Sequence, residues 1–290
     1  MNIGYQGIQG AYSEAAVYQK FGRVQARGFR TFEDVFEALG QGEVQQAVLP
    51  IENSIAGSVA VNYDLLLKHD VRIVGEVYLP IRHALLGTAA SLGLVKRALS
   101  HPQALQQCQD FLKKNSIEAV PEYDTAGAAK LVKERGNPEE AAIASEHCAE
   151  LYELNVLARD IGSSKDNCTR FLIVARESPV ELRKEKTSFV FKVRHEPGSL
   201  VNCLQRLAKH SINLTKLESR PLPDTPWEYV FHADIDGGTD DPVVSLALAE
   251  MEMATLFLRV VGSYPKARAP FQEAPKESII TESKTKGEHA

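Results

Sequence analysis

The chain has 290 residues, of which 44% are hydrophobic and 24% are charged, and its formal net charge is −5. This length indicates two or three packing units, the composition is that of a soluble globular protein, and the negative charge disfavours nucleic acid as a partner. No apolar run approaches the roughly 20 residues of a membrane helix, and the four widely spaced cysteines predict neither a zinc site nor a disulfide framework. Strand-like sequence begins at Asn2 and leaves no room for a signal peptide, so we expect a cytoplasmic protein with no membrane partner.

From residue 1 to about residue 175 the hydrophobic pattern predicts alternating strands and helices. The predicted strands are Asn2–Tyr5, Gln25–Phe29, Gln46–Ile51, Val71–Tyr78, Ile81–Leu86, Val95–Leu99, Glu118–Tyr123, Ala141–Ala144 and Phe171–Val174. The predicted helices are Ser13–Lys20, Phe32–Leu39, Asn62–Lys68, Pro102–Lys114, Ala126–Lys133 and Glu146–Leu154. Such alternation is typical of α/β proteins with parallel sheets.

The first turn of this region, in the stretch "GYQGIQGAYSEAA", is rich in glycine and leads into a helix. Backbone N–H groups at such a helix start can hold an anion. The dinucleotide fingerprint requires Gly-x-Gly-x-x-Gly, whereas these glycines recur at every third position, and no Gly-Lys-Ser/Thr phosphate loop follows. The spacing argues against a nucleotide phosphate and leaves open either another anion or a plain tight turn.

Hydroxyl or amide side chains repeatedly follow the predicted strands, just before the next helix. Ligands of open α/β sheets bind beyond the carboxyl ends of the strands, so these side chains can line a cleft with donors and few fixed charges. Each of them is also an ordinary helix N-cap, and that alternative stays open for any single one. The junction residues are Ser13, Glu52-Asn53-Ser54, Ser100-His101, Thr125 and Ser145.

A second unit follows residues 176–186, which are charged, contain Pro179 and are interpreted as a linker. The pattern then predicts the βαββαβ order of a ferredoxin-like domain. Its elements are strand Thr187–Val193, helix Gly198–His210, strands Ile212–Leu217 and Glu228–Ala233, helix Val243–Met253 and strand Thr255–Val261. Residues 265–290 are rich in Lys, Glu, Pro and Ser and are predicted to be disordered.

Six motifs resemble, in order and spacing, those of prephenate dehydratases and of the similar plant-type arogenate dehydratases. They are "GIQGAYSE", "VLPIENSIAGSV", "SHPQALQQC", "DTAGAA", "AAIAS" and "DNCTRFLIV", of which "PIENS" and "NCTRF" together are highly specific. The later stretch "PGSLVNCLQRLAKHSINLTKLESRP" resembles the ACT regulatory domain that follows the catalytic domain in these enzymes. The resemblance covers nearly the whole chain except the tail.

This resemblance implies a two-lobed α/β catalytic domain like the type II periplasmic binding proteins, with the substrate cleft between the lobes. We expect the catalytic domain at residues 1–178, with lobe 1 at about 1–78 and 165–178 and lobe 2 at about 79–164. The ferredoxin-like ACT domain is expected at residues 186–264.

The resemblance also implies the decarboxylating dehydration of prephenate to phenylpyruvate in L-phenylalanine biosynthesis, with no metal and no cofactor. The enzyme has to hold a dianion and assist the departure of a hydroxyl group. Thr169 is the expected catalytic residue, as a hydrogen-bond donor to the departing oxygen, because free threonine is too weak an acid for full proton transfer. Asn167 lies on the same strand face and is the second candidate donor.

Further candidate catalytic residues come from the helix junctions. The glycine turn with Ser13 is expected to receive a substrate carboxylate through backbone N–H groups and a hydroxyl. Asn53 and Ser54 are expected to act similarly at another helix start, with Gln103 and Thr125 contributing from the far lobe.

Three candidate catalytic residues keep two interpretations each. Arg170 either pairs with a substrate carboxylate or, because adjacent strand residues point to opposite faces, braces the lobes. His101 either donates a proton or serves as a positioning device at its helix entrance. Glu52 is expected to be structural, hydrogen-bonded to backbone donors of the "NSIAG" turn, with a protonated acid as the alternative.

The ACT resemblance implies feedback regulation by L-phenylalanine. The expected effector-binding residues are Gly198, Ser199, Leu200, Asn213, Leu214, Glu218, Ser219, Arg220 and Pro221. In the family these segments meet across a dimer interface, which implies a homodimer or homotetramer. Because backbone N–H groups at the start of the first helix can hold a carboxylate, Gly198 and Ser199 are the natural contacts for the effector's acid group.

Two other functions remain open at this point. Arogenate dehydratase activity differs by an amino group in place of the side-chain keto oxygen, and the stretches "YQGIQGAYSEAA" and "NYDLLLKH" look plant-type. The alternative from another class is a non-catalytic amino-acid sensor built on a binding-protein fold. The intact Asn167-x-Thr169 motif disfavours that sensor.

Overall fold

A computed structural model describes residues 1–178, 183–222 and 225–270. Residues 179–182 of the predicted linker and the predicted tail from residue 271 lie outside the described residues. The first lobe begins with β1 (Asn2–Gln6), α1 (Tyr12–Phe21), β2 (Gln25–Phe29), α2 (Phe32–Gln41), β3 (Gln46–Asn53), β4 (Gly57–Ser58), α3 (Ala60–Lys68) and β5 (Arg72–Pro80). Its sheet has the order β2-β1-β3-β11-β5, with β4 paired to β3, and β11 (Cys168–Ala175) arrives later in the chain.

The second lobe is a sheet with the order β10-β6-β9-β7-β8. Its elements are β6 (Ala84–Gly87), a 3-10 turn (Leu92–Leu94), β7 (Arg97–Ser100), α4 (Pro102–Gln107), α5 (Gln109–Lys114), β8 (Glu118–Pro121), α6 (Thr125–Arg135), β9 (Glu140–Ala144), α7 (His147–Tyr152) and β10 (Asn155–Ala158). The chain enters this sheet after Pro80 and returns to the first sheet at Cys168. Two α/β lobes are therefore joined by two crossings, which confirms the predicted fold class.

The sheets are mixed, so the prediction of parallel sheets was wrong. β1 pairs in parallel with β2 and β3, but β11 runs antiparallel to both β3 and β5. The reason is the crossing itself, because β11 re-enters the first lobe at the edge where β3 ends. In the second lobe β6, the entering strand, is likewise antiparallel to β9 and β10.

Short elements account for the other differences from the sequence pattern. β4 has two residues and β10 has four, and neither has a hydrophobic period long enough to be recognised. The helix predicted at Pro102–Lys114 is divided into α4 and α5 at Cys108, whose backbone φ is −106° and ψ is 12°. By contrast, α2 begins where its sequence indicates, with Thr31 and Asp34 forming a reciprocal capping box.

The third sheet has the order β13-β14-β12-β15. Its elements are β12 (Lys186–Lys192), α8 (Ser199–Lys209), β13 (Leu214–Leu222), β14 (Thr225–Asp236), α9 (Pro242–Ala254) and β15 (Phe257–Tyr264), which confirms the predicted βαββαβ order. Helices α8 and α9 pack on one face of this sheet. The opposite face packs against the first lobe, where Val190, Val230 and Tyr264 share a core with Leu49 and Tyr63. Within the described ranges, the helices lack the combination of length and apolar character that crossing a membrane requires.

Candidate active site

A cleft with a cavity of about 220 Å³ lies between the first and second sheets. The carboxyl end of β1 and the starts of α1, α4 and α6 border it, and this is the edge at which open α/β sheets bind ligands. The structure brings six of the predicted catalytic residues together around this cavity. They are Ser13, Asn53, His101, Gln103, Thr125 and Thr169.

Thr169 is buried at the cleft near the start of β11, opposite Asn53 of β3. The Asn53 amide nitrogen lies 3.0 Å from the Thr169 hydroxyl oxygen. The orientation of this amide is fixed because its oxygen accepts the backbone N–H groups of Ile55 at 3.1 Å and Ala56 at 2.9 Å. An amide nitrogen can only donate, so the Thr169 oxygen accepts this bond and its own proton remains available to a group in the cleft.

Arg170 points to the opposite face of β11, so the structure corrects its placement among the catalytic residues. Its guanidinium donates to Glu76 Oε2 at 2.7 Å, Asp234 Oδ2 at 2.6 Å and the Tyr264 hydroxyl at 3.1 Å. Lys186 Nζ completes the cluster at 3.0 Å from Glu76 Oε2. Strand alternation excludes Arg170 from the cleft, and its guanidinium joins the first lobe to the third sheet.

The same alternation corrects the expectation for Glu52. The backbone of Glu52 pairs with Arg170, and its side chain points to the third sheet, where Oε1 lies 3.0 Å from Lys216 Nζ. The backbone donors of the "NSIAG" turn are bound by Asn53 instead. Because the Glu52 carboxylate is 40% exposed and faces away from the cavity, it neither repels an anion there nor supplies it with a proton.

The glycine turn differs from the expectation that its own N–H groups receive a carboxylate. The N–H of Gly7 donates to Phe29 O at 2.8 Å, and that of Gly10 donates to Glu14 Oε2 at 2.7 Å. The positive φ angles of these glycines, +117° and +90°, turn the chain into α1 instead. The next N–H groups, of Tyr12 and Ser13, have no acceptor among the described residues, so they are the donors of this turn that are free to receive an anion.

Two helix starts face α1 from the second lobe. His101 is the N-cap of α4, and its Nδ1 accepts the N–H of Gln103 at 3.3 Å, which supports the positioning interpretation of this histidine. Asp124 is the N-cap of α6 and accepts the N–H of Gly127 at 2.5 Å. That bond holds the carboxylate against the positive end of the helix, while Thr125, the first helical residue, borders the cavity.

Two predicted residues lie beside the cleft and support it. Ser54 Oγ donates to Asp166 O and accepts the N–H of Cys168, both at 3.0 Å, so it ties the loop after β3 to the start of β11. Asn167 accepts from Asn53 Nδ2 at 2.8 Å through its own amide oxygen. Neither side chain lines the cavity that holds Thr169. Asn167 lines the adjoining cavity together with Gln103 and Gln107, and Ser54 is engaged in joining the two loops, so both remain candidates for a supporting role.

Three residues of the cleft were missed by the sequence reasoning. His83, in the crossing between β5 and β6, is buried, and its Nε2 lies 2.8 Å from Gln107 Oε1. Its Nδ1 lies 2.9 Å from the Tyr12 hydroxyl, which also lies 2.7 Å from Arg82 O. Tyr12 follows the glycine turn and Gln107 ends α4, so a search extended one turn beyond each junction finds both; no local pattern identifies His83.

The cavity is lined mainly by neutral groups, with Asp124 as the carboxylate among its described residues. Among the described residues around the cavity there is no Lys and no Arg. Hydroxyl, amide and imidazole groups and the N-terminus of α1 remain to hold negative charge, since Asp124 already caps α6. Such a site can bind an anion reversibly through hydrogen bonds and a helix dipole, without a charged side chain that pairs with it.

Residues 3–179 match the family model described as prephenate dehydratase. The chain belongs to the prephenate dehydratase family. The match covers both lobes and includes β11, the strand that carries Thr169.

Three similar proteins of known sequence or structure carry different descriptions. "Arogenate dehydratase/prephenate dehydratase 2, chloroplastic" of Arabidopsis thaliana is 44% identical over 277 residues, covering 91% of this chain and 73% of the relative. A prephenate dehydratase from Arthrobacter aurescens, solved in complex with L-Phe, is 33% identical with a TM-score of 0.85, covering 94% of this chain and 92% of that one. GqqA, described as a novel type of quorum quenching acylase, has the same identity and TM-score and covers 92% of this chain and 98% of that one.

The predicted effector residues of this family member fall into separate groups. Gly198, with φ of +83°, caps the start of α8, and Leu200 borders a cavity of about 420 Å³ formed with the segment 192–197. Asn213 Nδ2 donates to Asp236 Oδ2 at 3.0 Å, and Leu214 packs against the core under α8 and α9. The structure therefore places the α8 start beside an open cavity and leaves Asn213 and Leu214 outside it.

On β13 the predicted effector residues alternate between two faces. Glu218 Oε2 accepts the Ser58 hydroxyl at 2.7 Å, and Arg220 donates two bonds to Asp64, at 3.1 and 2.9 Å. These two side chains bind the first lobe in this chain, and their role in binding an effector stays a prediction. Ser219 and Pro221 point to the exposed face of the strand and remain candidates.

Proposed function

We propose that this protein is a carbon–oxygen lyase that converts prephenate to phenylpyruvate. The observation that carries the proposal is the hydrogen bond from the Asn53 amide to the Thr169 oxygen, which leaves the hydroxyl proton free to donate in the cleft. A hydroxyl held in this way can donate a hydrogen bond to the departing oxygen as negative charge develops there.

The reaction needs no redox partner and no covalent intermediate. The bond between the ring and its carboxylate breaks, and its electron pair forms the new ring double bond as carbon dioxide leaves. The bond from the ring to the hydroxyl oxygen breaks, and the hydroxide leaves as water after taking a proton. Formation of the aromatic ring supplies the driving force, so the main tasks of the protein are to orient the dianion and to stabilise the leaving oxygen.

The helix starts provide the complementary sites for the two carboxylates. The unpaired N–H groups of Tyr12 and Ser13 at α1 lie on one side of the cleft, and the start of α6 with Thr125 lies on the other. At α1 a carboxylate is stabilised by these N–H donors and by the helix dipole, whereas Asp124 already caps α6, so Thr125 is the donor that α6 offers. In this proposal the cleft belongs to a catalytic domain at residues 1–178, and residues 186–264 form a separate ACT domain.

The direct test is incubation of the purified protein with prephenate and measurement of phenylpyruvate by its absorbance in alkali. The proposal predicts turnover that follows protein concentration. Absence of the chromophore with correctly folded protein contradicts it. The same assay with arogenate, measuring phenylalanine, decides between the two substrates, which the Arabidopsis relative's name places side by side.

Acyl transfer and pure sensing are the alternatives from other classes. A hydroxyl nucleophile requires a base within hydrogen-bond reach. Among the described residues the partner of the Thr169 oxygen is the Asn53 amide nitrogen, which cannot accept a proton. This geometry favours a hydroxyl that donates over one that attacks, and turnover of prephenate excludes a pure sensor.

Regulation by L-phenylalanine at the third sheet is part of the proposal. The Arthrobacter relative was solved with L-Phe, and the third sheet of this chain has the ferredoxin-like order with an open cavity beside the α8 start. We expect L-phenylalanine to lower prephenate turnover, in a homodimer or homotetramer formed through these domains. Calorimetry that detects no phenylalanine binding to the intact protein contradicts this part. Whether the protein acts in the cytoplasm stays a prediction, since the Arabidopsis relative is described as chloroplastic.

A further inference from the structure

A chain of side-chain amides links the loop after β3 to the crossing segment that carries His83. Its direction is set at one end, where two backbone N–H groups donate to the Asn53 oxygen at 3.1 and 2.9 Å. The Asn53 nitrogen therefore faces Asn167 Oδ1, 2.8 Å away. In turn Asn167 Nδ2 faces Gln107 Oε1 at 3.0 Å. Each amide fixes the orientation of the next, because nitrogen donates and oxygen accepts.

The same chain determines which nitrogen of His83 carries the proton. Nε2 lies 2.8 Å from Gln107 Oε1, which is an acceptor, so Nε2 must donate. Burial lowers the pKa of His83, although the bond to Gln107 opposes this, so the ring is neutral near pH 7. A neutral ring protonated at Nε2 can only accept at Nδ1, which lies 2.9 Å from the Tyr12 hydroxyl and shares that hydroxyl's single proton with Arg82 O, 2.7 Å away.

The Gln107 side chain is thus held at its oxygen by two donors, from His83 and Asn167. Its Nε2 has no acceptor among the described residues, and the residue borders the cleft. A reversed amide would present an oxygen to the dianion in place of two N–H groups. No described Lys or Arg lines the cavity that holds Thr169, although Arg82 and Lys165 line the adjoining cavity that Gln107 also borders, so the orientation of this amide bears on binding.

We propose that His83 is a positioning residue that acts through Gln107: as the Nε2–H tautomer it holds the amide oxygen away from the cleft, so that the amide nitrogen donates to a carboxylate of the bound substrate. The proposal rests on the proposed function. A contact to a carboxylate that persists from the bound substrate to the transition state contributes to both equally. Its loss therefore raises KM and leaves kcat nearly unchanged.

The kinetic test compares two variants that differ in one donor. His83→Gln keeps an N–H group near the position of Nε2, whereas His83→Leu fills the space without a donor. We expect His83→Leu to raise KM for prephenate by about tenfold to a hundredfold, His83→Gln to stay within about threefold, and kcat to change by less than about threefold in both. In a Gln107→Leu background the His83→Leu change should have little further effect on KM.

The outcomes separate this proposal from the proposed function. Unchanged KM in His83→Leu, or equal damage in His83→Gln and His83→Leu, overturns the positioning role while turnover of prephenate stands. If the unmutated protein does not turn over prephenate, the result contradicts the proposed function and not the positioning role of His83. If His83→Leu does not fold, the tautomer is still measured by long-range ¹H–¹⁵N correlation on histidine-labelled unmutated protein, with His83→Gln for assignment. Protonation at Nε2 supports the proposal, and a neutral ring protonated at Nδ1 overturns it.

Discussion

The two faces of β11 manage charge in opposite ways. On the cleft face, the cavity at Thr169 is lined mainly by neutral groups with one described carboxylate, Asp124, and no described Lys or Arg borders it. On the other face, Arg170 lies in a buried cluster in which two cations, Arg170 and Lys186, oppose two anions, Glu76 and Asp234. The adjacent residues Thr169 and Arg170 therefore face two different environments, a cavity without a described cation and a buried cluster of ion pairs.

The difference shows what each face is for. Fixed charges that compensate each other suit a permanent contact, because the cost of burying them is offset only when every partner is in place. A site whose ligand enters and leaves is better built from neutral hydrogen-bond donors, because these cost less free energy than buried charges when the cleft is empty. The cluster therefore docks the third sheet on the first lobe, and the cleft is left to bind an anion transiently.

Breaking the cluster should have the largest effect. Arg170→Met leaves Asp234 and Glu76 with Lys186 as their remaining cation and should lower the free energy of unfolding by about 3–5 kcal/mol. Urea unfolding at pH 7 measures this change. The matched control is Arg183→Met, whose partner Glu185 lies 2.8 Å away but whose side chain is 80% exposed, so it should cost less than about 1 kcal/mol. Equal, small costs for both variants contradict the assigned role of the cluster.

On the cleft face the corresponding change is Asn53→Ala. It removes the donor that orients Thr169, so kcat should fall by about 10²–10³-fold, and it removes the first amide of the chain to Gln107, so KM should rise as well. Steady-state kinetics on prephenate provide the measurement. Asn115→Ala removes an amide that donates to Phe111 O at the end of α5, and its kcat should stay within about twofold. A kcat near that of the unmutated protein in Asn53→Ala removes the support for an oriented Thr169.

The interface should also respond to pH through His232, which is buried against Tyr63 with ring centroids 4.9 Å apart. Burial lowers the pKa of His232 to about 4, with the nearby carboxylates of Asp64 and Asp234 opposing the shift. His232 is protonated at higher pH in the unfolded chain than in the folded one. Its contribution to the free energy of unfolding is therefore complete above the ordinary histidine pKa and is lost as pH falls towards 4. The loss should be on the order of 3 kcal/mol.

Unfolding measurements between pH 7 and pH 4.5 test this titration, and His232→Phe should flatten the curve in that range. Asp234 affects stability at lower pH than His232 does. Burial raises the pKa of Asp234, but the charges of Arg170 and Lys186 outweigh burial and hold that pKa below the ordinary value. Its stabilising contribution is therefore lost only below about pH 4. A curve that is equally steep in His232→Phe rules out the assignment to His232.

The smallest effect is expected for Glu52→Gln. Its carboxylate faces Lys216 in the third sheet at 3.0 Å and is 40% exposed, so the change should leave kcat within about threefold and cost less than about 1 kcal/mol of stability. Kinetics and urea unfolding on the same preparation measure both. A large loss of turnover with normal folding supports the protonated-acid interpretation and contradicts the geometry.

The sequence predicted the class of fold and the helix starts of the cleft because these depend on local periodicity and on junction chemistry. Ser13, Thr125 and Thr169 reach the cavity as expected. It could not predict that Asn53 orients Thr169, since the two lie 116 residues apart and meet only through the antiparallel return of β11. The sequence also could not identify the acceptors of Arg170, because Asp234 is distant in sequence and belongs to another sheet.

The central claim is that the Thr169 hydroxyl donates to the departing oxygen, and Thr169→Ala tests it most directly, with Thr169→Ser as the control that keeps the hydroxyl. We predict that the alanine variant binds prephenate and unfolds like the unmutated protein but loses about 10²–10⁴-fold in kcat, while the serine variant retains measurable turnover. Undiminished kcat in a folded Thr169→Ala protein would contradict the account.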